Sequence, residues 1–193
     1  MDAFKEFINK YVQLSPDDWQ SIYQEFEKVE FLKNDIILQE GKICRHFYFF
    51  ERGLIRFYYN IEGEEITKTF TIAPYCFTSK VSFRNQSPAN ESIQALEDVT
   101  AWQITYDQYK KLEKVNSWNI FIRKLLNEIQ EFMEKLMLES KTQTAEIRYK
   151  RLLENYPASL VQKIPLKYLS SFLGIAPQSL SRIRNNLHKN RKS

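Results

Sequence analysis

Short strand-like runs separated by turns fill the first half of the sequence, and they constrain the fold more than any other feature. Gly41, Gly53 and Gly63 lie in turns between runs, where glycine adopts a positive φ at little cost. β-Branched and aromatic residues favour strands, and they are concentrated in the runs 36–38, 47–50, 54–59, 66–70, 91–95 and 99–104. Short strands at roughly 8–12-residue spacing predict an antiparallel sandwich or roll.

A long helix is predicted next, over 107–140, because this stretch contains neither glycine nor proline. An apolar stripe with alternating steps of four and three residues follows it: Trp118, Ile122, Leu125, Ile129, Phe132 and Leu136. That spacing is typical of a helix seam, and a second apolar flank would cover the sheet. We therefore expect a homodimer through the stripe. The alternative is a single buried helix without a partner.

The charge is unevenly distributed along the chain. The protein carries 28 basic and 24 acidic residues, a net charge of +4. From residue 141 to 193 there are 11 basic residues against Glu146 and Glu154, a net charge of +9, so residues 1–140 carry −5. A basic segment attached to an acidic body indicates a nucleic-acid or anionic-surface module. A solvated basic tail is the alternative.

The basic segment contains the pattern of a helix-turn-helix. Pro165 and Pro177 can each open a short helix, since proline suits the first helical position, and Gly174 lies at the turn between them. Apolar residues at helical spacing give each helix one inner face: Leu166, Leu169 and Phe172 in the first, and Leu180, Ile183 and Leu187 in the second. Two short helices joined by a glycine-containing turn form this motif.

The outward residues of the second helix are polar or basic, and none is acidic: Gln178, Ser179, Ser181, Arg182, Asn185 and Asn186. Such side chains bond to base edges and phosphates. We expect Arg182 to contact a guanine, Gln178 a neighbouring base and Ser179 a phosphate. Additional attraction to the DNA backbone is expected from Lys167, Arg184 and Lys189. Alternatively, Arg182 bridges to Glu146 or Glu154 within the domain.

Several classes of protein are disfavoured by composition. Cys44 and Cys76 are too few for a disulfide scaffold or a four-thiolate cluster, and His46 and His188 cannot form a three-histidine metal site. We therefore expect no metal site and no enzymatic activity. No apolar run reaches the ~18 residues of a membrane span, and the N-terminus lacks a signal-peptide pattern, so a cytoplasmic protein is expected.

Taken together, these stretches resemble the Crp/Fnr family of bacterial transcription regulators. The resemblance rests on 34–41 (NDIILQEG), 47–56 (FYFFERGLIR), 94–98 (QALED), 173–175 (LGI) and 180–184 (LSRIR). It implies an α+β fold in three parts: an N-terminal antiparallel β-roll (double-stranded β-helix) over 1–106, a dimerisation helix over 107–140 and a winged helix-turn-helix over 141–193. It also implies a homodimer on an inverted-repeat site in double-stranded DNA, with RNA polymerase as a further candidate partner.

The effector pocket implied by the resemblance departs from the family pattern. Cyclic-nucleotide binders of this family hold the ribose with a Gly-Glu pair and the phosphate with an Arg-Ser/Thr pair. This sequence has Thr78-Ser79 and Ala89-Asn90 at those positions, with Lys80 beside them. A partly buried phosphate needs a charge-assisted donor, which Ala89 does not supply. We therefore expect no binding of cyclic AMP or cyclic GMP, and an unknown small-molecule effector or none.

Cofactors are not expected either, because the cysteine cluster of iron–sulfur members is absent and nothing clearly provides haem ligands. A second departure is Ala176, which stands where a Ser or Thr cap is expected before Pro177.

The alternative function is a ligand-sensing β-roll protein whose helical tail binds a protein partner. A cupin-like enzyme is nearly excluded by the histidine count.

Overall fold

The structure, a computed structural model, describes the backbone of residues 1–190 and the side chains of residues 1–187. In the first half the elements are α1 Asp2–Asn9, α2 Pro16–Tyr23, β1 Glu27–Phe31, β2 Ile36–Leu38, β3 His46–Arg52, β4 Leu54–Ile61, β5 Glu64–Ile72, β6 Tyr75–Phe77, α3 Lys80–Asn85, β7 Ser92–Ala95 and β8 Val99–Thr105. They are followed by α4 Tyr106–Leu112, α5 Asn116–Thr142, α6 Ala145–Asn155, α7 Ala158–Lys163, α8 Leu166–Leu173 and α9 Pro177–Asn190.

The strands form two four-stranded antiparallel sheets, which confirms the predicted antiparallel architecture. Their orders are β1-β8-β3-β6 and β2-β7-β4-β5. The sequence runs did not predict β1 and β6, which are the edge strands of the first sheet and carry weak signals, one rich in charge and the other three residues long. Between β3 and β4, Gly53 adopts φ +118°, and a Cβ there would lie 2.9 Å from the Asp98 carbonyl oxygen. This turn therefore requires glycine.

A core of aromatic side chains joins the first sheet to the helices that cover it. Phe4 of α1 stacks on Phe49 of β3, with ring centroids 4.3 Å apart. Trp118 and Phe121 of α5 are fully buried in the same core, with ring centroids 5.4 Å apart. The N-terminal part of α5 is therefore fixed to the roll by burial of large apolar side chains.

The helix predicted over 107–140 is divided in two. α4 ends at Leu112 and α5 begins at Asn116, with Val115 in an extended conformation between them. Leu112 and Trp118 are both buried in the roll core. Residues six apart on a continuous helix point about 120° away from each other, given 3.6 residues per turn. The break lets both side chains enter the same core, without any glycine or proline to signal it.

A second core lies between the roll and the C-terminal helices. It combines Leu54 and Leu96 from the roll with Tyr149, Leu169 and Leu180 from the helices, all of them buried. The helical segment therefore packs directly on the outer face of the second sheet. The predicted third part, residues 141–193, thus shares a core with the predicted first part, residues 1–106.

The helix pair α8–α9 forms as predicted, but a wing is not found: after Thr105, the part of the chain that the structure describes is helical apart from its connections. The "winged" part of the expected fold is therefore not confirmed. Among the described helices, α5 is the longest at 27 residues, and neither it nor any other combines the length and apolarity of a membrane span.

Candidate nucleic-acid interface and effector pocket

The turn between α8 and α9 is closed by backbone hydrogen bonds around Gly174. This residue adopts φ +65° after the end of α8, the left-handed conformation that glycine favours. The Ile175 N–H donates to the Ser170 carbonyl at 3.1 Å, and the Gly174 N–H donates to the Ser171 carbonyl at 3.0 Å. Both bonds satisfy carbonyl groups at the end of α8, and the chain then re-enters a helix at Pro177, as predicted.

Burial of apolar residues fixes which face of α9 is outward. Leu169 and Leu173 of α8 and Leu180 of α9 are fully buried against one another and the rest of the second core. Gln178 and Arg182, one helical turn apart, are exposed on the opposite side. Of the other predicted DNA-binding residues on this helix, Asn185 is exposed, while Ser179 and Ser181 are half-buried.

Arg182 has no internal ion pair among the residues whose side chains are described, since no carboxylate lies within 4 Å of it. Of the two acids considered as alternative partners, Glu146 is instead paired with Lys150 at 2.8 Å. The guanidinium of Arg182 is therefore available to an external ligand.

Arg184 does not share the outward face, contrary to the sequence-based expectation. Its Nε donates to the Tyr149 hydroxyl at 3.2 Å, its guanidinium lies 5.6 Å from that ring, and its Nη2 is buried. The inner position follows from helical spacing, because Arg184 is four residues from the buried Leu180. Arg184 therefore stabilises the contact between α9 and α6.

Of the two predicted backbone-contacting lysines, the structure describes the side chain of one, and it lies apart from this face. Lys167 is on α8 and exposed, with its Nζ 3.9 Å from Glu65 of the roll, so it lies at the junction between the two cores. The side chain of Lys189 lies outside the described residues.

The predicted effector residues lie at the start of α3 and just before β7. The Thr78 hydroxyl donates to the His46 carbonyl at 2.9 Å, and Ser79 is buried. Lys80 and Asn90 are exposed, while Ala89 is buried, with its backbone N–H donating to the Lys42 carbonyl at 2.9 Å. The structure thus brings these residues to one end of the roll, but it turns the only cation among them, Lys80, outward.

A buried carboxylate beside these residues was missed by the analysis of the sequence. Glu91 is 5 % exposed and accepts hydrogen bonds from the Ser79 hydroxyl at 2.8 Å and from Lys68 Nζ at 2.7 Å. Burial lowers the pKa of Lys68, but the hydrogen bond and charge of Glu91 outweigh this effect and the pKa is raised. Lys68 is on β5 and Glu91 immediately precedes β7, so only the folded sheet brings them together.

Arg84, the cation at the C-terminal end of α3, is also on the surface, where its Nε donates to Asn85 at 3.3 Å. Glu91, next to Ser79, forms an ion pair with Lys68, so this pair offers no net positive charge to an anionic phosphate. Lys68, the cation that faces the buried region, is already neutralised by Glu91.

Arg56 is a second buried charge that links two parts of the molecule. It is 1 % exposed, and its guanidinium lies 3.4 Å from the ring centroid of Tyr168 on α8 and 4.0 Å from that of Tyr58. Its Nε donates to Gln94 at 2.8 Å and its Nη2 to Glu65 at 2.7 Å. In the sequence, the one signal for this buried charge is that Arg56 is the only charged residue in the apolar run 54–59.

The predicted dimer stripe divides into two halves. Trp118, Ile122 and Leu125 are buried in the roll core of their own chain, so they cannot contact a partner, and this part of the prediction is corrected. Phe132 is 42 % exposed, and Ile129 and Leu136 are half-buried. The exposed surface continues at Met137 and Leu138, which the predicted stripe omitted. Only in the C-terminal half of α5 does the stripe remain exposed to a second copy of the chain.

Part of the sequence matches a known protein family, and the fold matches several solved structures. Residues 28–116 match the family model of the cyclic nucleotide-binding domain. A CooA variant from Carboxydothermus hydrogenoformans has a TM-score of 0.69 at 16 % identity, with 95 % of this chain and 83 % of that chain covered. FixK2 from Bradyrhizobium japonicum has a TM-score of 0.72 at 17 % identity, with 86 % and 85 % covered.

A protein from Eubacterium rectale assigned to the Crp/Fnr family has a TM-score of 0.70 at 18 % identity, with 92 % of this chain and 85 % of that chain covered. The fold is that of the Crp/Fnr regulators. The resemblance that the sequence predicted is thereby confirmed. The cyclic nucleotide-binding domain match spans both Thr78-Ser79 and Ala89-Asn90, the two departures from the Crp/Fnr nucleotide pattern. No curated protein sequence matches the chain significantly.

Proposed function

We propose that this chain is a homodimeric Crp/Fnr-type transcription regulator that binds a specific site in double-stranded DNA through α9. The observation that best supports this function is the exposed, acid-free face of α9, which presents Gln178, Arg182 and Asn185 on a helix-turn-helix pair. The face belongs to a segment with a net charge of +9. Positive charge supplies attraction to phosphates, and polar side chains on an exposed helix supply contacts to base edges.

The predicted DNA-binding residues of α9, apart from Arg184, each have an expected role. The N-terminal part of α9 enters the major groove, which is wide enough for a helix. Arg182 contacts a guanine with two hydrogen bonds, Gln178 contacts a neighbouring base, and Ser179 contacts a phosphate near the helix N-terminus. Ser181 and Asn185 make further polar contacts, and Lys189 adds attraction to the backbone.

The proposed dimer determines the form of the DNA site. A two-fold symmetric protein requires an inverted repeat, with half-sites about one helical turn apart or a multiple of it. The exposed C-terminal half of α5 supports this pairing, since it presents Phe132 together with Ile129 and Leu136. The regulator acts in the cytoplasm with its DNA, and RNA polymerase is a further partner for it.

Selection of bound DNA from a random pool tests the function. The wild type is expected to enrich an inverted repeat. Arg182→Ala should weaken binding to the selected site by roughly 1–3 kcal/mol, because two hydrogen bonds to one base are lost, while nonspecific binding changes little. Lys110→Ala is the matched control, since it removes one exposed positive charge from α4, which packs on β3 and β8 of the roll. Affinities are measured by gel shift at fixed salt concentration.

Two results would contradict this proposal. If Arg182→Ala binds the selected site as tightly as the wild type, α9 does not recognise the bases. If the wild type binds no DNA at all, the alternative function gains support, namely a ligand-sensing roll whose helical tail binds a protein.

The effector of this regulator is not cyclic AMP or cyclic GMP in our proposal. The pocket lacks the guanidinium and the ribose-holding carboxylate of nucleotide binders, and it places Glu91 beside Ser79. Each missing buried charged contact costs about 2–5 kcal/mol, so the loss of both moves a micromolar site to roughly millimolar affinity or weaker. Calorimetric titration with either nucleotide should therefore give no saturable micromolar binding. A saturating isotherm in that range would refute the assignment.

A further inference from the structure

A cavity of about 520 Å³ lies between the roll, α5 and the C-terminal helices, and none of the predicted effector residues lines it. One wall is β5, with Phe70 and Ile72, and a second is the C-terminal half of α5, with Phe132 and Leu136. The third wall is formed by α6, α7 and α8. Pockets for small molecules typically occupy about 300–1,000 Å³ and are lined mainly by apolar side chains. This cavity fits that description, and it touches both cores of the molecule.

The charged groups around the cavity are predominantly basic. Lys68, Lys135, Arg148 and Arg151 line it, against a single carboxylate, Glu139. Glu139 is paired with Arg151, and Lys68 is paired with Glu91, which does not line the cavity. Among residues with described side chains, no carboxylate lies within 4 Å of the charged nitrogens of Lys135 or Arg148. Two positive charges at the cavity are therefore unmatched.

Arg148 provides a second sign of a missing acceptor. One of its terminal nitrogens donates to the Leu173 carbonyl at 2.6 Å. Its Nε is buried and has no hydrogen-bond partner. An unsatisfied buried donor costs free energy, and an anionic oxygen bound next to it would remove that cost.

We propose that this cavity binds an amphipathic anion, a small molecule with an apolar aliphatic body and a carboxylate head. The body lies among Phe70, Leu136 and the apolar residues of α7 and α8. The carboxylate lies towards Arg148 and Lys135. A ligand in this position contacts the roll, α5 and the helix-turn-helix pair at the same time. It would therefore stabilise the packing of the roll against the C-terminal helices.

Calorimetric titration of the full chain with decanoate tests the site, and decylamine serves as the probe with the same chain and opposite charge. Decanoate should bind saturably at one site per chain, and decylamine should bind at least about 10-fold more weakly because Arg148 and Lys135 repel it. Equal binding of the two probes, or no saturable binding of decanoate, would overturn the proposal.

Two variants locate the binding. Leu160→Trp fills the cavity and should abolish decanoate binding, whereas Leu32→Trp adds the same ring at an exposed position of the roll that does not line the cavity and should have no effect. Lys135→Gln should weaken binding by about fivefold, with Lys141→Gln on the same helix as its matched control. Unchanged affinity in Leu160→Trp would place the decanoate elsewhere and refute the site.

Sedimentation with and without decanoate distinguishes a ligand from a second copy of the chain. The oligomeric state should not change on binding. If decanoate converts dimers into monomers, the cavity is covered by the partner's helix and the ligand proposal fails. The titration contains no DNA, so its outcome does not depend on the proposed DNA binding.

Discussion

At the scale of single residues, Arg56 connects two neighbouring strands of the roll to α8. It is buried on β4, bonds to Gln94 on β7 and Glu65 on β5, and lies against Tyr168 on α8. A planar guanidinium can donate within its plane while its face packs on an aromatic ring. Lysine cannot do both, so the residue type is determined by the geometry.

Arg56→Leu is therefore expected to lower the free energy of unfolding by about 2 kcal/mol, since it removes two hydrogen bonds and the charge opposite Glu65. Arg56→Lys should recover only part of this loss, because the ring contact with Tyr168 is not restored. Urea denaturation provides the measurement. Arg52→Leu, at the exposed end of β3, is the control and should change stability by no more than about 0.5 kcal/mol. Equal losses in Arg56→Leu and Arg52→Leu would show that the Arg56 contacts contribute little.

At the scale of elements, α5 has two halves with different surroundings. Its N-terminal half is buried on the roll through Trp118, Phe121 and Leu125. Tyr11 and Tyr75 both donate hydrogen bonds to Glu128, at 2.7 and 2.8 Å. Beyond this point the helix leaves the roll and exposes Phe132, Met137 and Leu138. A second copy of the chain would therefore contact α5 only after Glu128.

Phe132→Glu is expected to convert the proposed dimer into monomers, because an apolar contact worth about 1.5–3 kcal/mol per chain is replaced by a buried charge. Sedimentation velocity at micromolar concentration measures the effect. Asn127→Glu adds the same charge at an exposed site on the same helix and should leave the dimer intact. Wild-type protein that sediments as a monomer would rule out the α5 dimer.

At the scale of the whole molecule, the roll and the helical segment share an apolar interface. Leu54 and Leu96 of the roll are buried in the core of the helical segment, and Phe70 meets Phe172 edge to face at 5.4 Å. A backbone-to-side-chain hydrogen bond reinforces this docking, since the Thr67 N–H donates to the Ser171 hydroxyl at 3.0 Å. The two cores are therefore expected to unfold together.

This coupling is measurable because Trp19, Trp102 and Trp118 all lie before α6, so tryptophan fluorescence reports on the roll and α5. In the wild type, urea transitions followed by fluorescence and by far-ultraviolet circular dichroism should coincide. Phe70→Ser weakens the shared interface and should separate the two transitions, whereas Ile61→Ser, at an exposed position, should not. Coincident transitions in Phe70→Ser would mean that the cores are coupled by other contacts.

Local patterns predicted the elements whose signals lie within a few neighbouring residues. The central strands, the turn at Gly174 and the start of α9 at Pro177 occur where the sequence indicated. The outward positions of Gln178, Arg182 and Asn185 also follow from helical periodicity alone. Residues on one helix turn keep a fixed relation to each other, so an apolar face defines the opposite face without tertiary information.

The sequence alone thus determined the strand-rich first half, the basic second half and the helix pair within it. The tertiary structure determined which neighbours each charged side chain and each apolar face contacts. It turned Arg184 towards Tyr149, paired Lys68 with Glu91, buried Arg56 under Tyr168 and divided the stripe of α5 between the roll and a free surface. Such contacts join residues far apart in the chain, and their geometry exists only after the sheets and helices have packed. A periodic pattern specifies that a face is apolar, but not which neighbour covers it.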